Sequence, residues 1–232
     1  MRILFLSLVL LFATTGSANI IGSVESLDGN VKVKSEGSFK KSKVVLGMEI
    51  KEGDLITTSR KSSLIIKLID GSSVVVDVSS AIHFLTTDSF QQKAGKVFCK
   101  ITSRDAKNSL KIKTPFAIIG IKGTTFVVNT TQNESVILKD GLIGIKSIKE
   151  EFELYRKKVQ EEFSNYVSKQ QTEFEKFKNA QNKYAVAEST KEFDLEAGNR
   201  VSFHGNRVNE DNWAKEDDEE FAYFMRLIES MR

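Results

Sequence analysis

Between Ile20 and about Ile148 the apolar positions come in short alternating runs, and glycines at 29, 53, 71, 95, 123 and 141 punctuate them every 18 to 28 residues. That spacing predicts one hairpin, or one coil of a solenoid, per interval. Val31 and Val33 alternate with Lys32 and Lys34, the period-two signature of a strand with one buried face. Leu64 to Ile69, then Asp70-Gly71, then Val74 to Val78 predicts a hairpin, because Asp-Gly favours the turn whose twist matches that of paired strands. The stretch from Leu110 to Val128 is the expected centre of the core. Leu110, Ile112 and Thr114 alternate with Lys111 and Lys113, and the only proline, Pro115, bends the chain where no backbone donor is needed. A buried strand over Phe116 to Ile121, a turn at Gly123 and a further strand over Thr124 to Val128 follow.

At Lys149 the period changes. Phe152, Tyr155, Val159, Phe163, Tyr166, Phe174 and Phe177 recur mostly at threes and fours, within a run free of Gly and Pro from Ser147 to Ala197. This predicts a long amphipathic helix or helical hairpin inserted over residues 149–192, whose aromatic stripe must be covered to be stable. Cover by the β-domain or by a return helix predicts a monomer; cover by a second copy, coiled-coil fashion, predicts a homodimer. Alternation resumes over Phe193 to Phe203, so residues 193–208 are expected to supply closing strands. The last segment, 209–232, begins polar and ends in a helix with Phe221, Phe224, Leu227, Ile228 and Met231 on one face. Asp217, Asp218, Glu219 and Glu220 sit in its first turn, where the helix dipole favours negative charge.

Thr114-Pro115-x-Ala117 followed by Gly123-Thr124-x-Phe126 resembles the hallmark of the FecR domain, and other pieces lie in the expected order: Gly53-Asp54, Asp70-Gly71, Gly95-Lys96-Val97, Asp140-Gly141 and Leu195-x-Ala197-Gly198. The resemblance covers roughly residues 20 to 148 and resumes near 193. It implies a mainly β fold, a β-roll or irregular β-solenoid, with a β-sandwich as the alternative. It also implies an extracytoplasmic binding or signalling role, with Thr114, Pro115, Ala117, Gly123, Thr124, Phe126, Gly53, Asp54, Asp70 and Gly71 as a structural motif rather than a ligand site.

The N-terminus sharpens the compartment. Met1-Arg2, an apolar run from Ile3 to Ala13 and the small residues Gly16-Ser17-Ala18 predict a signal peptide over residues 1–18, cut before Asn19, and hence a periplasmic or secreted protein. The run is too short to span a bilayer. No cysteine near the cut offers lipid attachment, and Cys99, the only one, lies in an alternating strand context that predicts a small buried residue. The net charge of +3 hides an asymmetry: residues 19–148 hold 19 Lys and Arg against 12 Asp and Glu, and residues 149–232 hold 14 against 19. The basic front half is either a solvated surface or one suited to anionic envelope polymers or lipid headgroups.

Candidate chemistry is sparse. His83 and His204 stand alone, and the sequence has no His-x-x-x-His, Cys-x-x-Cys, phosphate-cradling loop or Gly-x-Ser-x-Gly, so no metal or cofactor is expected. Asp54, Asp70, Asp77 and Asp140 could pair as acid and base for glycoside cleavage, yet each neighbours a turn, the commonest use of Asp. An exported chain lacking a clustered basic and aromatic face is not expected to bind nucleic acid. The sequence therefore points to an exported, non-enzymatic binding or assembly module of the cell envelope with an envelope protein or polymer as partner. A FecR-type transducer anchored by an uncleaved N-terminal segment is the alternative, and a carbohydrate-active enzyme a more distant one.

Overall fold

The structure, a computed structural model, describes residues 18–102, 109–157, 159–162 and 187–230. The described residues form two large open sheets, a C-terminal helix and a short helical stretch at residues 157 and 159–162. The first sheet holds β1 (Ile20–Asp28), β4 (Glu49–Lys51), β6 (Ser63–Leu68), β7 (Ser73–Val76), β10 (Lys96–Lys100), β13 (Thr125–Asn129), β14 (Ser135–Asp140), β16 (Phe152–Tyr155), β17 (Glu188–Thr190), β19 (Asn199–His204) and β20 (Arg207–Asn212). The second holds β2 (Val31–Lys34), β3 (Ser42–Lys43), β5 (Leu55–Thr58), β8 (Ala81–Thr86), β9 (Ser89–Ala94), β11 (Leu110–Lys113), β12 (Ala117–Ile121), β15 (Leu142–Ser147) and β18 (Glu192–Glu196). Their spatial orders are β17-β16-β20-β19-β14-β13-β10-β7-β6-β1-β4 and β18-β15-β12-β11-β9-β8-β5-β2-β3.

The chain passes from one sheet to the other and back every one or two strands. Five of the six predicted glycine turns, at 29, 53, 95, 123 and 141, are crossing points, and the sixth, at Gly71, closes a hairpin within the first sheet. Pairing is antiparallel except for β11 on β9 and β16 on β20. Inward residues of both sheets, from Ile21 and Val33 at one end to Leu195 and Val208 at the other, merge into a single core. The 64–78 hairpin forms as predicted, with Ile65 opposite Val75 across β6 and β7.

The first sheet is apolar on both faces, which explains runs such as Val74-Val75-Val76 and Val97-Phe98-Cys99. Alternate residues of these strands belong to the inter-sheet core. The others form an outer row in which Ile65 pairs with Val75, Val75 with Phe98, Phe98 with Val127, and Val127 with Ile137. Helix α1 (Lys215–Glu229) lies on this row, burying Phe221 and Phe224 and packing Trp213, Leu227 and Ile228 on it. The next residue in the row beyond Ile137 is Arg200, and it anchors the helix start through Asp217, whose Oδ1 is 3.0 Å from Arg200 Nη1. The other oxygen of Asp217 accepts the backbone N–H of Ala214 at 2.7 Å. Glu220 pairs with Lys96. Asp217 in the first turn and Glu220 in the second thus hold the helix on its own sheet.

The expected long inserted helix is corrected over its first turn. Phe152 to Tyr155 is strand β16, with Phe152 and Leu154 fully buried, and residues 188–190 form strand β17 beside it. Phe152 and Tyr155 fit a helical spacing of three, but Phe-Glu-Leu-Tyr fits a strand better once Leu154 is counted with Phe152. The core reached through Phe193 and Phe203, at 5.7 and 5.9 Å between ring centroids, decides it. Helical backbone appears at residues 157 and 159–162, where Val159 is exposed. Phe163, Tyr166, Phe174 and Phe177 lie outside the described residues, as do the N-terminal run at 1–17 and Met231. The closing strands are also longer than expected: β20 extends to Asn212, so the start of the polar tail is part of the first sheet.

Candidate functional site

Thr114-Pro115-x-Ala117 builds the bend between β11 and β12. Thr114 is buried, and its hydroxyl oxygen lies 2.9 Å from both the N–H and the carbonyl oxygen of Ala117 and 3.3 Å from the Phe116 N–H. Its backbone N–H donates to the Ala117 carbonyl at 2.9 Å. Pro115, with no N–H to satisfy, takes the outer position of this bend. Gly123 adopts φ +122°, which side-chain-bearing residues avoid, and Phe126 is fully buried in the inter-sheet core. Thr124 is buried beneath Gly141, where an added Cβ would lie 2.6 Å from the Gly123 carbonyl and from the Thr124 methyl, so two pieces of the hallmark interlock. Asp54 closes the turn containing Gly53 by accepting the Lys51 N–H at 2.9 Å. Asp70 does the same beside Gly71, accepting from the Ser72 N–H and hydroxyl at 2.9 Å each.

The Pro115 bend also forms one wall of a cleft of about 570 Å³ at the end of the two sheets. Four separate connections converge there: Pro115 and Phe116, Glu134 before β14, Ser147 to Glu150 after β15, and Gly205 and Asn206 between β19 and β20. Its floor is aromatic. Phe116 stacks on Phe203 at 4.3 Å, Phe203 touches Phe152, and Phe152 meets Phe193 edge-on. Glu134 is half-buried on the rim, and burial pushes its carboxyl above the usual range while His204 and Lys149 pull it back down. The one hydroxyl of the rim, Ser147, serves its own loop, donating to the Glu150 carbonyl and accepting the Lys149 N–H. An apolar floor with a few convergent charged and polar groups is the form of a binding site.

The other candidates do not gather. His83 lies within β8 and His204 is exposed at the tip of the β19–β20 hairpin. Asp54, Asp70, Asp77 and Asp140 occupy four different turns or strand ends. Among the described residues no group of three His, Cys, Asp or Glu could hold a metal ion. Cys99 is fully buried in β10, and burial pushes its thiol far above the usual range. A shallower groove of about 440 Å³ runs over the outer face of the second sheet, where Gly120 and Gly144 face each other across β12 and β15 between Lys111, Lys146, Glu192 and Asp194.

Sequence reasoning missed Glu134, Lys149, Glu150 and Asn206. They belong to no motif, and only the crossing of the chain between sheets brings them to one place. His204-Gly205-Asn206 between two alternating runs is the only local sign, and it signals a hairpin tip rather than a site.

Residues 54–143 match the model of the FecR protein family, within the span on which the sequence resemblance rests. No curated protein matches the chain. Among solved structures, a candidate anti-sigma factor from Parabacteroides distasonis ATCC 8503 is 12% identical with a TM-score of 0.48, over 72% of this chain and 64% of that one. A cell surface anchoring domain is 31% identical with a TM-score of 0.28, over 29% of this chain and 87% of that one. The chain thus spans less than two thirds of the length of the anti-sigma factor.

Proposed function

We propose, taking residues 54–143 as a FecR-type domain, that this chain is an exported, non-enzymatic binding module of the cell envelope whose ligand or partner enters the cleft at the Pro115 bend. The observation that carries this reading is the convergence of four connections over one aromatic floor. Loops on a rigid β scaffold are where recognition resides, and here several of them bring a charged rim around an apolar floor. A binding role is preferred to catalysis because the rim hydroxyl of Ser147 is held by its own loop and Glu134 faces cations rather than a nucleophile. Export rests on the N-terminal pattern alone.

Photo-crosslinking in cells tests the reading. A benzophenone side chain placed at Asn206, on the cleft rim, should give a discrete adduct in the envelope fraction, and Lys149→Glu should abolish it. The same probe at Arg60, in the turn between β5 and β6, should give none. Adducts of equal yield at both positions, or none at Asn206, would remove the cleft from consideration.

A further inference from the structure

We propose that the β2–β3 edge of the second sheet is a docking surface for an anionic lipid bilayer. This surface is separate from the cleft: β3 is the last strand of its sheet and lies six strand positions from β12, about 29 Å at about 4.8 Å per strand.

Two independent features define it. The first is charge. Lys32 and Lys43 are directly opposite each other across β2 and β3, an arrangement that like charges disfavour in water. Lys34, Lys40 and Lys41 lie on the same edge and its loop, and none of these five lysines forms an ion pair among the described residues. The nearby Glu36 is turned over Gly53, whose added Cβ would sit 2.5 Å from the Glu36 Cβ, and so is drawn away from the loop tip. Five unpaired cations on one edge call for an external anion.

The second feature is apolar. Residues 39–46, Phe-Lys-Lys-Ser-Lys-Val-Val-Leu, are exposed except for Val44, and Phe39 is 100%, Leu46 69% and Val45 53% accessible. Phe39 is not outside the fold by accident of a loose loop. Gly37 at φ +70° turns the chain, the Ser38 N–H donates to the Ser35 carbonyl at 3.0 Å, and the Ser38 hydroxyl donates to the Lys40 carbonyl at 2.9 Å. Phe39 is thus held at the tip of a hydrogen-bonded turn, between that serine and two lysines. A phosphate or carboxylate polymer would neutralise the lysines and leave Phe39, Val45 and Leu46 in water. A bilayer accepts both, with ammonium groups at the headgroups and the apolar side chains at the acyl boundary. Docked by this edge, the module would keep its cleft about 29 Å along the sheet, open to the aqueous side.

Co-sedimentation of the full chain with phosphatidylcholine vesicles and with vesicles containing one quarter phosphatidylglycerol tests this. The N-terminal apolar run favours both vesicle types, so the readout is the ratio between them. We expect the anionic vesicles to be preferred at least tenfold at low salt, and Lys40→Glu/Lys41→Glu to reduce that preference about fivefold or more per charge. Phe39→Ala should weaken binding to anionic vesicles about tenfold. All these positions are exposed, so the urea midpoint should not change, which separates lost docking from lost folding. Equal binding to both vesicles, or anionic binding indifferent to Phe39→Ala, would overturn the proposal. Binding to soluble polyglutamate as strong as to vesicles, and insensitive to Phe39, would also overturn it and assign the edge to an acidic polymer.

Discussion

Phe98→Ala should detach the C-terminal helix from its sheet while sparing the inter-sheet core. Phe98 is fully buried on the outer face of β10, with ring centroids 5.7 Å from Phe221 and 5.1 Å from Phe224, the latter pair nearly parallel at 15°. Truncating a buried phenylalanine costs about 3–5 kcal/mol, of which each ring pair supplies about 0.5–1.5 kcal/mol beyond its buried area. With a urea m-value of about 2–3 kcal/mol/M for a chain of this size, the unfolding midpoint should fall by about 1–2 M. Phe224→Ala should cost a similar amount. Because the two rings touch, the double variant should be less destabilised than the sum by about 1 kcal/mol. Hydrogen exchange over residues 215–229 should rise in Phe98→Ala while β1 and β6 stay protected. A midpoint within about 0.3 M of the parent, or strict additivity with Phe224→Ala, would show that the helix does not rest on Phe98.

Other outcomes follow from single sites. Thr114→Val removes the hydroxyl that ties the proline bend and should destabilise by about 1–3 kcal/mol in urea unfolding. Gly123→Val forces a branched residue into φ +122° and should cost about 1–3 kcal/mol or more, with a midpoint equal to the parent's as the contrary result. Cys99 should resist a maleimide reagent in the folded protein and react promptly in urea, since burial both shields it and suppresses its thiolate. Glu134 has its carboxyl raised by burial, so the folded state favours the protonated form. That contribution to stability is present below the ordinary glutamate range and is lost as pH rises through the folded value. Glu134→Gln should therefore gain stability over the parent as pH rises from the ordinary glutamate value towards neutrality, with no gain below it. A constant difference across pH would contradict this.

The turns and the strand faces were legible because local chemistry fixes them. Asp70-Gly71 between two alternating runs, Pro115 after Thr114 and Gly123 ahead of Thr124 to Val128 each dictate a conformation within four or five residues. The FecR resemblance was legible for the same reason, since the residues that carry it close turns and fill the core. What was not legible depends on partners distant in sequence. Phe152 and Tyr155 fit a helical period while Phe152 and Leu154 fit an extended one, and β16 is a strand because β20, more than 50 residues on, lies ready to pair with it. The C-terminal helix was visible from Phe221 and Phe224, but its seat on an outer row of the first sheet was not, although Val75, Phe98 and Val127 in the midst of apolar runs marked a sheet buried on both faces. The cleft rim escaped for want of any motif: Glu134, Lys149, Glu150 and Asn206 are ordinary loop residues until the chain's crossings collect them. The basic front half was visible in the counts, yet only the pairing of β2 with β3 sets Lys32 against Lys43.

The most direct test of the cleft is hydrogen exchange by mass spectrometry on the protein with and without envelope material from its own cells. Binding in the cleft predicts slower exchange in three separated segments together, residues 114–117, 147–150 and 204–206, with β1 and β6 unchanged. Protection confined to any other surface, with all three segments exchanging as in the free protein, would contradict the account.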